Sequence, residues 1–349
     1  MKLSSIGKWL LTILSVMIIL VPGRGANDKL APDPVVSAAT TSSTKAPPLT
    51  PAANSGKSKS TGASSSGSNA STGGDIKNTG NTATQSENNR PSIPVLALGA
   101  KGQAALWLNE TLAALQYLPL GFTPSAEVSE DASSESTSSG PSPAIANTLA
   151  ATLQDATLKP IPGTWSWKAK YPTSLTNLWN ANAVSVITEG AIIRFEHDHG
   201  LDIDGIAGPQ VDNALLIALT KGQIENKPYT YVTVSKTDQE HLDIWQNGSH
   251  IYNTLVNTGI SACPTPNGTW PVFLRLTSQT MRGKSPSGEP YNDPGVPWIN
   301  YFYKGCAIHG YVRPTYGSPQ SLGCVELPVS NAQKVYSLLD YGTLVTVGS

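Results

Sequence analysis

Two short segments hold the residue types that acyl transfer requires. Gly305-Cys306-Ala307-Ile308-His309-Gly310 is followed by Ser321-Leu322-Gly323-Cys324-Val325-Glu326. A free thiol is only slightly ionised near neutral pH, so a nucleophilic cysteine needs a neighbouring base or a positive dipole. His309 is the available base, ending an apolar strand beside Gly310. The glycine before Cys324 leaves room for backbone N–H groups to face an incoming carbonyl. Spacing alone does not specify the pair: free cysteines are commonly buried, and His309 taken by itself reads as a structural histidine.

The elements that must position these residues begin at Pro228. Tyr229, Tyr231, Thr233 and Ser235 alternate with Thr230, Val232 and Val234, and Leu242, Ile244 and Trp245 lead into Asn247-Gly248, a strong hairpin turn. Ile251 to Val256 is the return strand. Further short strands are expected at Trp270 to Leu276, Ala307 to Ile308 and Leu344 to Val347. One helix is expected, with Ser330 capping Asn331 to Leu339, Val335, Leu338 and Leu339 inward, and Gly342 ending the turn. The result is a mostly β domain at 227–349.

Upstream the pattern is helical. Leu108, Leu112 and Leu115 fall on one helix face, as do Ile192, Phe195 and His199 after an N-cap at Thr188. An Asp-Gly turn at Asp204-Gly205 precedes Pro209, at a first helical position before Val211, Leu215 and Leu219. This module spans 91–222, with an insertion at about 121–165 that includes the polar stretch Ser125 to Ser142. Residues 27–90 are Ser, Thr, Ala, Gly, Asn and Pro with hardly a large apolar side chain. Such a chain cannot offset its conformational entropy by burial and is expected to be a disordered tether. Residues 1–26 carry Lys2 and Lys8 ahead of an apolar run ending at Pro22-Gly23. That run is shorter than the roughly 20 residues of a spanning helix, as in a signal peptide; Arg24 fits a cleavage site poorly and keeps an N-terminal anchor open.

With 23 basic and 24 acidic residues and only 13% charged, the chain has no basic cluster to neutralise phosphates. Nucleic acid is therefore not an expected partner. His197 and His199 at i, i+2 do not share a helix face, and no residues at ligand spacing complete a metal set. Three cysteines leave at least one thiol without an intramolecular partner. If Cys324 is that one, Cys263 and Cys306 are either a disulfide or two unrelated buried thiols.

Two resemblances organise these observations. Leu98-Gly99, Lys101-Gly102, the Leu-rich helix, Ala191-Ile192-Ile193-Arg194-Phe195-Glu196-His197-Asp198-His199-Gly200-Leu201 and Asp204-Gly205-Ile206-Ala207-Gly208-Pro209 together resemble the three-helix peptidoglycan-binding domain, from whose compact pattern the long insert departs. Thr265-Pro266-Asn267-Gly268-Thr269-Trp270, His309-Gly310, Ser321-Leu322-Gly323-Cys324, Ser330-Asn331-Ala332-Gln333 and Gly342-Thr343-Leu344-Val345 resemble the L,D-transpeptidase (YkuD-type) catalytic domain over nearly its full length. The expected architecture is multidomain: signal or anchor, disordered linker, three-helix peptidoglycan-binding-like domain, and a β-rich catalytic domain with few helices.

The second resemblance implies that Cys324 attacks a peptidoglycan stem tetrapeptide at its third, dibasic residue, releases the terminal D-alanine, and passes the acyl group to an amine. His309 is then base and acid, and the Gly310 carbonyl orients its ring. The N–H groups of Gly323 and Cys324 contribute to the oxyanion hole, with Ser321 supporting that loop. Tyr291 is a lid tyrosine. Leu322 stands where many members have a second histidine, and Glu326 where many have Arg or Asn; Glu326 is expected to point away or to pair with Arg313. These substrate-side residues complete the set. No cofactor or metal is implied, and the partner is peptidoglycan, in an extracytoplasmic, wall-associated setting with membrane contact only through the N-terminal segment. The alternatives are an L,D-carboxypeptidase using water, and an inactive wall-binding protein. A disulfide oxidoreductase lacks its Cys-x-x-Cys pair.

Overall fold

A computed structural model describes residues 93–125, 142–237 and 239–348, all within one compact unit, Thr82–Ser349. The 1–26 segment, the 27–90 tether and most of the Ser125 to Ser142 stretch lie outside the described residues. Among the described residues no helix is long and apolar enough to cross a membrane.

The helical part packs α1 (Gln103–Ala114), α2 (Pro143–Gln154), α3 (Thr173–Thr176), α4 (Val186–Asp198) and α5 (Pro209–Lys221) with a hairpin of β1 (Leu120–Pro124) and β2 (Gly163–Trp167). Leu108, Leu112 and Leu115 are fully buried, and Pro209 opens α5. The helices expected at three places are thus joined by α2, α3 and a strand pair, of which α2 and the strand pair fall in the insertion. That inserted chain is anchored to α1 by Glu110, whose buried carboxylate accepts the Ile161 N–H at 2.8 Å. Burial pushes the Glu110 carboxyl up to about 7. The cap of α4 is Ser185 rather than Thr188: Thr188 sits three residues in and completes a reciprocal capping box with Ser185.

The β part contains β3 (Thr230–Ser235), β4 (His241–Gln246), β5 (Ser249–Leu255), β6 (Gly268–Pro271), β7 (Leu274–Lys284), β8 (Pro290–Tyr303), β9 (Cys306–Gly310), β10 (Val325–Leu327), α6 (Val329–Leu338) and β11 (Leu344–Gly348). One sheet has the order β5-β4-β3-β11-β6 and the other β10-β9-β8-β7. Val232, Val234, Leu242, Ile244, Val345 and Val347 from the first sheet meet Phe302, Ile308, Val325 and Leu327 from the second, with Ala332 and Val335 of α6 closing the core. Asn247 and Gly248 both take positive φ in the β4–β5 turn, as a tight hairpin requires.

Two further expectations are corrected, and one element is new. The strand expected at Trp270 to Leu276 is two strands in different sheets, broken after Pro271. The long β7–β8 hairpin has no counterpart in the periodicity reading. Helix α6 starts at Val329 after Pro328, not at a Ser330 cap, and Leu338 is only partly buried.

The two parts share a seam. A Cβ on Gly190 of α4 would meet Gly342 O at 2.7 Å, so only glycine permits this approach. Beside it, Arg194 pairs with Asp198, Glu225 and Asp340, and Lys227 also reaches Asp340.

Candidate active site

Strand alternation on β9 sorts its side chains by face. Ile308 enters the main core with Val325. Ala307 belongs to the smaller cluster against which Cys324 packs, so Ala307 and His309 face the other way, toward Cys324. Strand β10 runs parallel to β9 with Val325 beside Ile308 and Glu326 beside His309. The connection between the two parallel strands, residues 311–324, therefore crosses over and delivers Cys324 to the edge of the face that carries the imidazole.

His309 is 3% exposed, and its Nδ1 lies 3.1 Å from Gly310 O. A carbonyl only accepts, so Nδ1 carries the hydrogen and Nε2 keeps its lone pair. Burial holds the His309 pKa below its usual range, against the opposing pull of the Gly310 carbonyl and Glu326. The ring is thus neutral near pH 7, as a base must be.

Cys324 is half-buried, with its Sγ donating to Gly305 O at 3.8 Å. Burial pushes the thiol up to about 12, and Cys306, Glu326 and Cys263 add to that while the Ala307 N–H opposes it. Cys324 therefore rests as a thiol and not as a preformed thiolate.

The loop that carries Cys324 is held from within. Ser321, fully buried, donates from Oγ to Cys324 O at 2.6 Å and accepts the Gly323 N–H at 3.1 Å. Thr265 Oγ1 also donates to Cys324 O, at 3.3 Å. Gly323 has φ +109°, in the region that disfavours side chains. The Gly323 N–H, expected to face an incoming carbonyl, is here given to Ser321 Oγ, the same hydroxyl that holds Cys324 O.

Arg313 reaches Glu326 as the sequence reading anticipated, Nε to Oε2 at 2.7 Å and Nη2 to Oε1 at 2.9 Å. The guanidinium also lies over the Tyr311 ring at 4.6 Å and donates to Gln320 O. The carboxylate beside His309 is thereby neutralised in place.

His309, Cys324, Glu326, Arg313, Leu322 and Tyr291 all line one groove of about 690 Å³. Gly310, Ser321 and Gly323 stand behind it as supports. One wall is the β7–β8 hairpin, kinked by a register shift between Gln279 and Met281. Tyr291 lies across Gly283, where a Cβ would meet its hydroxyl at 2.6 Å, and burial, with the Asp293 carboxylate, raises its pKa. Sequence reasoning missed Met281, Asp293, Tyr301 and Tyr311, which also line the groove. Only Asp293 had a local signal, in the Tyr291-Asn292-Asp293-Pro294-Gly295 run.

Among the described residues no group of three or more His, Cys, Asp or Glu side chains is placed to hold a metal ion. His197 stacks on Tyr341 at 4.3 Å, and His199 packs on Phe195 at 4.1 Å.

Residues 229–347 match the model of the YkuD family, the L,D-transpeptidase catalytic domain. Among solved structures, the chain is similar to an L,D-transpeptidase from Mycobacterium smegmatis at 20% identity, covering 36% of this chain and 61% of that one, with a TM-score of 0.33. It is similar to the catalytic domain of an E. faecium L,D-transpeptidase at 26% identity, covering 36% of this chain and all of that one, with a TM-score of 0.32. It is also similar to L,D-transpeptidase 3 from Mycobacterium tuberculosis at 18% identity, covering 36% and 63%, with a TM-score of 0.33. The chain therefore spans about three fifths of the two mycobacterial proteins. No curated protein matches.

Proposed function

We propose that this groove carries out L,D-transpeptidation on peptidoglycan, with Cys324 as nucleophile and His309 as general base and acid. The observation that carries the reading is a neutral imidazole, with its Nδ1 hydrogen tied to Gly310 O, in the same groove as a half-buried thiol one residue ahead of the adjoining parallel strand. The family match over residues 229–347 supports it.

In this reading His309 Nε2 takes the Cys324 proton as Sγ adds to the carbonyl of the third residue of a stem tetrapeptide. The same proton then goes to the leaving D-alanine nitrogen as the C–N bond breaks, giving a thioester. An amine of a neighbouring stem attacks that thioester, His309 takes its proton, and Sγ leaves. Because the thiol rests protonated, attack and proton transfer are coupled, and His309 is required for the first step rather than a mere aid to it. The oxyanion is stabilised by donors other than the resting Gly323 N–H; Tyr291, on the hairpin wall, is the side chain assigned to that task. Arg313 keeps Glu326 from opposing charge build-up on the sulfur and supplies a cation for a stem carboxylate.

The helical part is proposed to hold the glycan strand, and the N-terminal segment and tether to place the chain in the wall outside the membrane. The test is incubation of the full chain with disaccharide tetrapeptide, read by mass spectrometry. Loss of D-alanine with formation of a cross-linked dimer is expected. A tripeptide alone would make water the acceptor, and neither product would end the reading.

A further inference from the structure

The transpeptidase reading uses one of three thiols, and the other two meet at one glycine. Gly323 precedes Cys324 in the chain and, by the β9–β10 register, comes alongside Cys306. Cys306 shares a face of β9 with Ile308 and packs against the main core, on the opposite side from Ala307, His309 and the groove. The position a Cβ would take on Gly323 is 3.5 Å from Cys306 Sγ and 4.0 Å from Cys263 Sγ. The two sulfurs are thus no farther apart than those distances together, and Gly323 puts no side chain between them.

Cys263 arrives on a turn clamped to the nucleophile loop. Its N–H donates to Ile260 O at 2.9 Å, the Gly259 N–H donates to Thr265 Oγ1 at 2.9 Å, and Ile260 N donates to Ser321 O at 3.0 Å. Its Sγ donates to Leu322 O at 3.2 Å. Both thiols are free and half-buried.

We propose that Cys263 and Cys306 are a redox-active dithiol that closes to an intramolecular disulfide behind the nucleophile loop and leaves Cys324 as a free thiol. Burial pushes the Cys306 thiol up, which disfavours its thiolate as the first attacker. The Cys263 thiolate attacks an external disulfide, forming a mixed disulfide and expelling one thiol. The Cys306 sulfur then attacks the Cys263 sulfur, gives up its proton, and expels the second thiol. The protein loses two hydrogens and the external disulfide becomes two thiols. Bridging asks Cys263 to leave Leu322 O and turn toward β9, since a disulfide holds its sulfurs about 2.05 Å apart. The bond ties the 260–265 turn to β9 across Gly323 and stiffens the loop that carries Cys324.

The experiment oxidises the reduced full chain with oxidised glutathione, alkylates remaining thiols with iodoacetamide after denaturation, and maps peptides by mass spectrometry. Expected are one alkylated residue, Cys324, a linked Cys263–Cys306 peptide, and a melting temperature several degrees higher that dithiothreitol reverses. Cys263→Ser and Cys306→Ser should each abolish both the link and the shift. Three alkylated cysteines, a glutathione adduct as the end product, or a link that includes Cys324 would overturn the proposal. The mapping reads the same whether or not the groove is catalytic, so it stands or falls apart from the transpeptidase reading.

Discussion

Replacing Arg313 by glutamine exposes what the carboxylate beside His309 does when nothing answers it. The Glu326 side chain is 6% exposed and that of Arg313 28%. Breaking a fully buried pair by removing one partner costs about 3–5 kcal/mol, and the partial exposure of Arg313 brings the expectation to about 2–3 kcal/mol. A second effect falls on His309, whose pKa Arg313 lowers and Glu326 raises. Burial still holds the value down, but with the guanidinium gone the upward pull of Glu326 is no longer opposed by that charge. A protonated imidazole cannot accept the Cys324 proton, so the acid limb of the rate profile moves to higher pH. Urea unfolding reads the first effect, and acylation by a carbapenem followed by mass spectrometry across pH reads the second. The neutral pair Arg313→Gln with Glu326→Gln should recover most of both. If Arg313→Gln unfolds within about 0.5 kcal/mol of the parent and its acid limb stays in place, the pair does not do what is argued here.

Three further outcomes follow from the site. With the thiol pushed up to about 12, alkylation of Cys324 by iodoacetamide in a His309→Gln variant should keep climbing through the alkaline range; levelling near the ordinary thiol value of about 8.5 would contradict burial of the sulfur. Because the folded-state pKa of His309 lies below its unfolded value of about 6.5, its contribution to stability is complete above that value and is lost as pH falls toward the folded pKa; chemical unfolding at pH 7 and pH 5 should show that loss in the parent and less of it in His309→Gln. Ser321→Ala strands the buried Gly323 N–H while Thr265 still serves Cys324 O, so unfolding should show a loss of about 1–3 kcal/mol, with slower acylation.

The candidate site was legible where it is local. Strand β9 ends in His309-Gly310, and the glycine before Cys324 marks a backbone position with φ +109°. The Asn247-Gly248 turn and the apolar faces of α1, α4 and α5 were legible for the same reason, since each is a pattern within one or two turns of chain. The β7–β8 hairpin was not, because Gly283, Pro294, Gly295 and Pro297 interrupt any alternation while pairing across the hairpin, a non-local property, holds the strands. Pairing also decided where Trp270 to Leu276 divides, with β6 joining β11 and β7 joining β8. The meeting of Cys263 and Cys306 at Gly323 depends on the β9–β10 register, which composition does not carry. The hydroxyl of Ser321 was assigned a supporting role, but its capture of the Gly323 N–H is a matter of rotamer that no residue pattern states.

The central claim is that Cys324 takes up an acyl group with His309 as its base, and intact-mass measurement after carbapenem treatment tests it most directly. One adduct on Cys324 is predicted, absent from Cys324→Ala and slowed by about 10² or more in His309→Gln. An unmodified parent protein, an adduct on another residue, or an undiminished rate without the imidazole would contradict it.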